Sequence, residues 1–150
     1  MAITDTELAG MVAQTNTVIS AVKEPAGVIG WWSQQHRLSM LADISAVFKI
    51  DAEPDSLNAV IGAVNHIGMA KYRIAIRFLK LLHPIQMALI NGVVFEGTAK
   101  QRTRALGLSY IEVCRAVKLG ALDPGEVASD KGLRILKNEF KRQLRTPRPH

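Results

Sequence analysis

The chain carries four segments of the form Ser/Thr/Asp-x-x-Glu/Gln, the capping-box pattern with which α-helices begin, at Thr4, Thr98, Ser109 and Asp123. In such a box, each of the two polar side chains accepts a hydrogen bond from a backbone N–H that has no partner inside the helix. Between the boxes, residues suited to one buried face recur at the 3.6-residue helical spacing. The first such set is Leu8, Met11, Val12, Thr15, Ile19 and Val22. The sequence therefore predicts an all-α protein.

Proline and glycine residues divide the chain into about six predicted helices. The second is expected from about Gly30 to Phe48, with Trp31, Leu38, Leu41, Ile44 and Phe48 facing inward. A fourth begins at Pro84, because proline suits the first turn of a helix, and Asn91-Gly92 is expected to end it. Residues 93–95 either extend that helix or form a short extended piece.

The third predicted helix, Ser56 to Leu82, is the longest and is apolar on most sides. A helix of this kind is usually a central core helix or one shared with another subunit. Gly62 and Gly68 would allow a second helix to cross it closely, or a bend. The expected fold is a compact bundle of about six helices around this long apolar helix, with a basic helical subdomain at the C-terminal end.

The formal net charge of +6 is unevenly distributed along the chain. Residues 1–55 contain 3 Lys/Arg and 7 Asp/Glu, whereas residues 98–150 contain 12 Lys/Arg and 5 Asp/Glu. Such an asymmetry creates a local positive potential that attracts polyanions or an acidic partner. We therefore expect a helical core with a self-association surface over residues 1–97, and the basic subdomain over residues 98–150.

Two sets of cations repeat at helical spacing. On the last predicted helix, the C-terminal stripe consists of Arg134, Lys137, Lys141 and Arg145. It lies opposite Leu133, Leu136, Phe140 and Leu144, so that one side of the helix packs and the other presents cations. On the long predicted helix, a secondary stripe consists of Arg73, Arg77 and Lys80. Either stripe can contact phosphates, can be a solvated helix face, or can form ion pairs with acidic residues of 1–55 on the same or a neighbouring subunit.

Residues 106–110, Leu-Gly-Leu-Ser-Tyr, precede an inward-facing pair, Val113 and Cys114, and a capped segment that starts at Asp123. This order resembles the helix-turn-helix of many DNA-binding proteins, in which the second helix enters the major groove. The expected second helix, residues 124–129, carries no Arg, Lys, Asn or Gln to read base edges. An ordinary helical corner is the alternative interpretation.

Catalytic and metal sites are not expected. The four histidines are not at ligand spacing with each other or with carboxylates, and no Cys-x-x-Cys motif, glycine-rich phosphate loop or paired nucleophile and base occurs. The single cysteine, Cys114, has no partner for an internal disulfide. We predict a protein that is not an enzyme, has no cofactor and acts in the cytoplasm, or in the virion if a phage encodes it. Neither a signal peptide nor a membrane span is expected.

The leading hypothesis is a DNA-binding regulatory or accessory protein that contacts phosphates through its C-terminal region, and we expect it to form a homo-oligomer. The expected contacts are Arg134, Lys137, Lys141, Arg142, Arg145, Arg104, Arg115 and Lys118. The alternative is a structural or adaptor subunit of a viral particle or secretion-type assembly. There Trp31 and Trp32 would make protein contacts, because aromatic residues are enriched at interfaces. Binding of the last helix to an anionic membrane surface is a third possibility.

Overall fold

A computed structural model describes residues 3–21, 31–65, 67 and 84–145, with the side chains of residues 31–34 and 84–100 outside the description. Its helices are α1 (Asp5–Ala21), α2 (Trp31–Val47), α3 (Pro54–Asn65), α4 (Pro84–Lys118) and α5 (Asp130–Arg145). A single 3-10 turn, Pro124–Glu126, lies between α4 and α5. The described residues are therefore helices and connections without a strand, and the predicted all-α class is confirmed for them.

The helices pack around one apolar core. Helix α4 lies against α1, α2 and α5, while α3 contacts both α2 and α5. The apolar core residues that are at most 2% exposed come from four of the helices, except Phe48 directly after α2 and Leu122 after α4: Met40, Leu41, Ile44 and Phe48; Val60 and Ile61; Leu106, Tyr110, Val113, Cys114 and Leu122; Leu136 and Phe140. Burying a side chain of this size contributes about 1.5–3 kcal/mol. The second helix and its inward Leu41, Ile44 and Phe48 agree with the sequence prediction.

Helix α1 begins as its capping box predicts. The backbone N–H of Glu7 donates to the Thr4 hydroxyl, with 3.2 Å between nitrogen and oxygen. Leu8 and Thr15 are buried, and Met11, Val12 and Ile19 are half-buried, so the predicted face packs inward. The buried Thr15 hydroxyl donates to the Val12 carbonyl at 2.7 Å, which satisfies its hydrogen-bonding capacity within the helix.

The expectation that Asn91-Gly92 ends a helix is wrong, because α4 continues for 35 residues from Pro84 to Lys118. Residues 93–95 are helical, and the capping-box patterns at Thr98 and Ser109 lie inside α4 rather than at helix starts. Glycine lowers helix stability by about 1 kcal/mol relative to alanine but does not block the backbone as proline does. A helix with no proline after its first turn can therefore pass through Asn91-Gly92 and Gly97.

Gly107 also reflects packing rather than a helix end. A Cβ atom at this position would lie 2.7 Å from Cγ1 of Ile19 and 3.2 Å from the Met40 sulfur. Helix α1 therefore approaches α4 so closely that a side chain at position 107 would require the Ile19 side chain to move. Two residues later, the buried Ser109 hydroxyl donates to the Ala105 carbonyl at 2.5 Å. It is thus bonded to the preceding turn of α4 and caps nothing.

The long apolar helix predicted over residues 56–82 falls largely outside the described residues. Its described part, α3, ends at Asn65 and is apolar on one side only, with Leu57, Val60, Ile61 and Val64 buried. Nothing lies within 4 Å of a Cβ built on Gly62, so this glycine marks no close helix crossing among the described residues.

Helices α2 and α4 end in the same way. After α4, Gly120 takes φ +80°. The N–H of Gly120 donates to the Val117 carbonyl at 3.2 Å and that of Ala121 to the Ala116 carbonyl at 2.9 Å. These bonds form a Schellman motif, which satisfies the last carbonyls of a helix and favours glycine at the left-handed position. After α2, Lys49 occupies that position with φ 55°, and Ile50 N–H donates to the Ser45 carbonyl at 2.9 Å.

Lys49→Gly is therefore expected to increase the free energy of unfolding by about 0.5–1 kcal/mol. A left-handed conformation costs a residue with a side chain roughly 1–2 kcal/mol, and the greater freedom of glycine in the unfolded chain offsets part of the gain. Urea unfolding measures the change. Lys49→Ala, which keeps the strain, is the matched control and should change stability little. Equal stability of the two variants would contradict this explanation.

Candidate nucleic-acid interface

Helix α5 buries its apolar side and exposes the C-terminal stripe. Leu136 and Phe140 are buried against α4 and α3, with Leu133 and Leu144 half-buried beside them. The four residues of the stripe, Arg134, Lys137, Lys141 and Arg145, are all exposed. The predicted division of this helix into a packed side and a cationic side is confirmed. In total α5 carries six Lys/Arg and two Asp/Glu, a net charge of +4 on one 16-residue helix.

The side chains of the stripe are not neutralised within the described part of the chain. None of the four has an ion-pair partner there. Arg145 donates from Nε to the carbonyl of Lys141 at 3.2 Å, a bond to its own helix that leaves its charge unpaired. The sequence left open whether acidic residues of 1–55 pair with this stripe; among the described residues they do not.

Arg142 and Arg115, which were predicted together with the stripe, are each held by a carboxylate. Arg142 forms a two-pronged contact with Glu139, with Nε 3.0 Å from Oε2 and Nη2 2.5 Å from Oε1. Arg115 Nη1 lies 2.8 Å from Glu112 Oε1 on α4. Hydrogen bonding by Arg142 is the main reason that the pKa of Glu139 is lowered, and the charge of Arg115 lowers it further. The two ion pairs are therefore neighbours across the α4–α5 contact.

This charged cluster of Glu112, Arg115, Glu139 and Arg142 is formally neutral. A phosphate that bound Arg142 or Arg115 would have to compete with a carboxylate already in contact. In each pair the acidic and the basic residue lie three positions apart on the same helix. This i,i+3 spacing is visible in the sequence and would have predicted both ion pairs. The Nε atom of Arg115 is buried and has no hydrogen-bond partner, so one donor of this side chain is unsatisfied.

The remaining predicted contacts lie on α4. Arg104 is exposed and Lys118 is half-buried in the last turn of the helix. A separation of 14 residues places them about 20 Å apart along the helix axis. The two cations therefore cannot both lie at the centre of one compact phosphate-binding surface. The secondary stripe of Arg73, Arg77 and Lys80 lies outside the described residues. Trp31 and Trp32 lie in the first turn of α2, with side chains outside the description.

The helix-turn-helix prediction is wrong in its geometry. Residues 106–110, expected to form a turn before the first helix of the motif, lie inside α4. The expected second helix is a single 3-10 turn over Pro124–Glu126. Its capping box does form, since Asp123 N–H donates to Glu126 Oε1 at 3.2 Å, but the pattern does not determine how long the resulting helix will be. A three-residue turn is too short to lie along a major groove.

Arg102 also belongs to the basic region, but its guanidinium is used in contacts that hold helices together. It is 9% exposed, and its guanidinium donates to the carbonyls of Val64 and Asn65 at 2.8 and 3.2 Å and to that of Ile67. Its guanidinium carbon also lies 5.2 Å from the centre of the Phe140 ring. Arg102 on α4 thus caps the C-terminal end of α3 and contacts α5. No local pattern marks it, because its partners lie 35 to 38 residues earlier in the chain.

Cys114 lies in a small buried polar group. The hydroxyls of Ser45 and Tyr110 are 2.6 Å apart, and Tyr110 also hydrogen-bonds the cysteine. Burial raises the pKa of the Cys114 thiol to about 12 and also raises the pKa of Tyr110. The nucleophilic form of cysteine is the thiolate, so this residue is held in its unreactive form. The group connects α2 to α4 and offers no catalytic nucleophile.

Helices α1 and α2 border an open groove of about 480 Å³, lined by Thr17, Val18, Ala21, His36, Ser39, Met40 and Asp43. Across the described ranges, no three His, Cys, Asp or Glu side chains are grouped so as to hold a metal ion. Every helix in those ranges is too short or too polar to cross a membrane.

No protein-family model matches the chain, and no curated protein or solved structure is significantly similar to it.

Proposed function

We propose that the protein binds nucleic acid, DNA in the first instance, through the exposed side of α5, and acts as a non-enzymatic regulatory or accessory protein. The observation that carries the proposal is the C-terminal stripe: four exposed cations on one helix face, without ion-pair partners in the described part of the chain. Lys and Arg side chains that contact phosphates release counterions from the nucleic acid, which is the main source of sequence-independent affinity.

The stripe is the centre of the proposed interface, and the other predicted cations have lesser roles. Arg115 and Arg142 are already engaged by Glu112 and Glu139. Arg104 and Lys118 lie on α4 and extend the positive potential around α5. We therefore assign phosphate contact to Arg134, Lys137, Lys141 and Arg145, and long-range attraction to the remaining cations.

The proposal predicts salt-dependent binding. With about four phosphate contacts, the logarithm of the association constant should fall with the logarithm of salt concentration with a slope of roughly −3.6. This corresponds to a loss of roughly a hundredfold in affinity between 50 and 200 mM salt. Fluorescence anisotropy of a labelled DNA duplex, titrated with the full chain at several salt concentrations, measures both quantities.

Lys137→Gln tests which surface is responsible. It should make the salt slope smaller in magnitude by about 0.9, the value for one lost phosphate contact. Lys49→Gln is the matched control, because Lys49 is also exposed but follows α2. It should leave the slope unchanged. Absence of salt-sensitive binding would refute the proposal. Equal effects of the two variants would show that α5 is not the surface that binds the nucleic acid.

The alternative assembly role depends on residues 56–82 as a long apolar helix and on the Trp31 and Trp32 side chains. Residue 66, residues 68–83 and both indoles are outside the described part of the chain, so this role stays a prediction. Light scattering distinguishes it: a defined higher oligomer that is indifferent to added DNA would favour assembly.

A further inference from the structure

The surroundings of α5 restrict how it can meet a nucleic acid. Helix α5 packs against both α4 and α3. Its exposed residues are Asp130, Lys131, Arg134, Lys137, Asn138, Lys141, Arg142 and Arg145. At 100° per residue these fall within about 140° of the helix circumference, and the residues on the remaining part are buried or half-buried. A helix that reads bases has to enter a major groove about 8.5 Å deep. A helix embedded over more than half of its circumference presents a shallow ridge instead.

The chemistry of the exposed side also favours phosphates over base edges. Asn138 carries the only carboxamide among the exposed residues of α5. The guanidinium of Arg142 is occupied by Glu139. Lys137 and Lys141 are point charges without the planar fork of arginine. Arg145 donates from Nε to the carbonyl of Lys141, so Arg134 is the one exposed arginine of α5 whose guanidinium has no contact in the described part of the chain. What remains is a line of cations spread over about 16 Å of helix, which suits a charged strand better than a single base pair.

Single strands are disfavoured by the position of the aromatic residues. Proteins that bind single-stranded nucleic acid stack its bases on exposed aromatic rings. Among the Phe, Tyr and Trp residues whose side chains the structure describes, Phe48, Tyr110 and Phe140, each is at most 1% exposed. The α5 surface therefore provides charge without a stacking platform.

We infer that α5 lies on the sugar-phosphate backbone of a duplex without reading its sequence. This inference rests on the proposed function and specifies the ligand: double-stranded nucleic acid of any sequence. Arg134 and Lys137 contact phosphates as charges, and the 3-10 turn at Pro124–Glu126 makes no groove contact.

The test compares four labelled probes of equal length with the full chain at one moderate salt concentration: AT-rich, GC-rich and mixed duplexes, and one single strand of the mixed sequence. The dissociation constants of the three duplexes should agree within about threefold, since phosphate contacts carry no sequence information. The single strand should bind about tenfold more weakly, because the described α5 surface has no exposed aromatic ring on which bases can stack. A preference of thirtyfold or more for one duplex, or tighter binding of the single strand, would overturn the inference while leaving nucleic-acid binding intact. Failure to bind any probe would refute both.

Two variants separate charge from base reading. Arg134→Lys keeps the charge and removes the fork, so it should change affinity for each duplex by less than about twofold. Asn138→Ala should have an equally small effect on every probe. If either variant changed the ranking of the duplexes, that side chain would be reading bases and the inference would fail.

Discussion

Gly132→Ala is expected to destabilise the protein by about 3 kcal/mol, at the upper end of the usual cost of overpacking. A Cβ atom on Gly132 would overlap the carbonyl oxygens of Glu126 and Val127 and lie 2.8 Å from the Val127 carbonyl carbon. These are backbone atoms, which cannot rotate away as the end of a side chain can. The segment after the 3-10 turn would have to move away from α5, although Val127 is 3% exposed and part of the core.

Gly125→Ala is the control for this prediction. Gly125 lies seven residues earlier, inside the 3-10 turn, and nothing is within 4 Å of a Cβ built on it. Because its φ is not positive, alanine fits there and should be neutral or stabilising by up to about 1 kcal/mol. Urea denaturation of both variants gives the comparison, with the slope m reporting whether the folded state remains compact. A cost for Gly132→Ala below about 0.5 kcal/mol would mean that the α5 start is less tightly packed than described.

The C-terminal stripe could be predicted from the sequence because all of its information is local. Cations and apolar residues alternate along α5 with the period of a helix, and a helix with two such different sides can pack in only one orientation. The capping boxes at Thr4 and Asp123 were predicted correctly for the same reason, since each depends on only four consecutive residues. This locality also explains the failure at Thr98 and Ser109, because the four-residue pattern does not distinguish a helix start from a helix interior. Once a helix has formed, adding a further residue costs little, so α4 continues past both sites.

The partners of the remaining cations were only partly predictable. The spacing of Glu112 and Arg115, and of Glu139 and Arg142, marks ion pairs in the sequence alone. By contrast, Gly107 and Gly132 resemble glycines at ordinary helix ends until the atoms packed against them are known. Their meaning depends on Ile19 for the first and on Val127 for the second. Counting cations in residues 98–150 therefore overstates the surface available to a polyanion, since Arg102, Arg115 and Arg142 are already engaged.

Arg102→Met is expected to lower the free energy of unfolding by about 3 kcal/mol. Methionine keeps the apolar stem but removes the donors to the Val64, Asn65 and Ile67 carbonyls. These carbonyls form the C-terminal end of α3, where the helix dipole favours a cation. Without Arg102 the Val64 carbonyl keeps only the bond from the Ile67 N–H at 3.1 Å, and hydrogen bonds to a charged group contribute about 1.5–3 kcal/mol each. The contact with the Phe140 ring is lost as well.

Arg104→Met, two residues further along α4, is the matched control, because Arg104 is exposed. It should cost less than about 0.5 kcal/mol, as is usual for surface substitutions. Arg102→Lys should fall between the two, since lysine retains the charge but has no planar fork to reach several carbonyls at once. Urea unfolding ranks the three variants, and hydrogen exchange at the end of α3 should accelerate most in Arg102→Met and remain unchanged in Arg104→Met. If Arg102→Met proved as stable as the unsubstituted protein, the free-energy cost of desolvating the guanidinium would equal the free energy that its hydrogen bonds contribute. Arg102 would then not stabilise the packing of α3 against its neighbours.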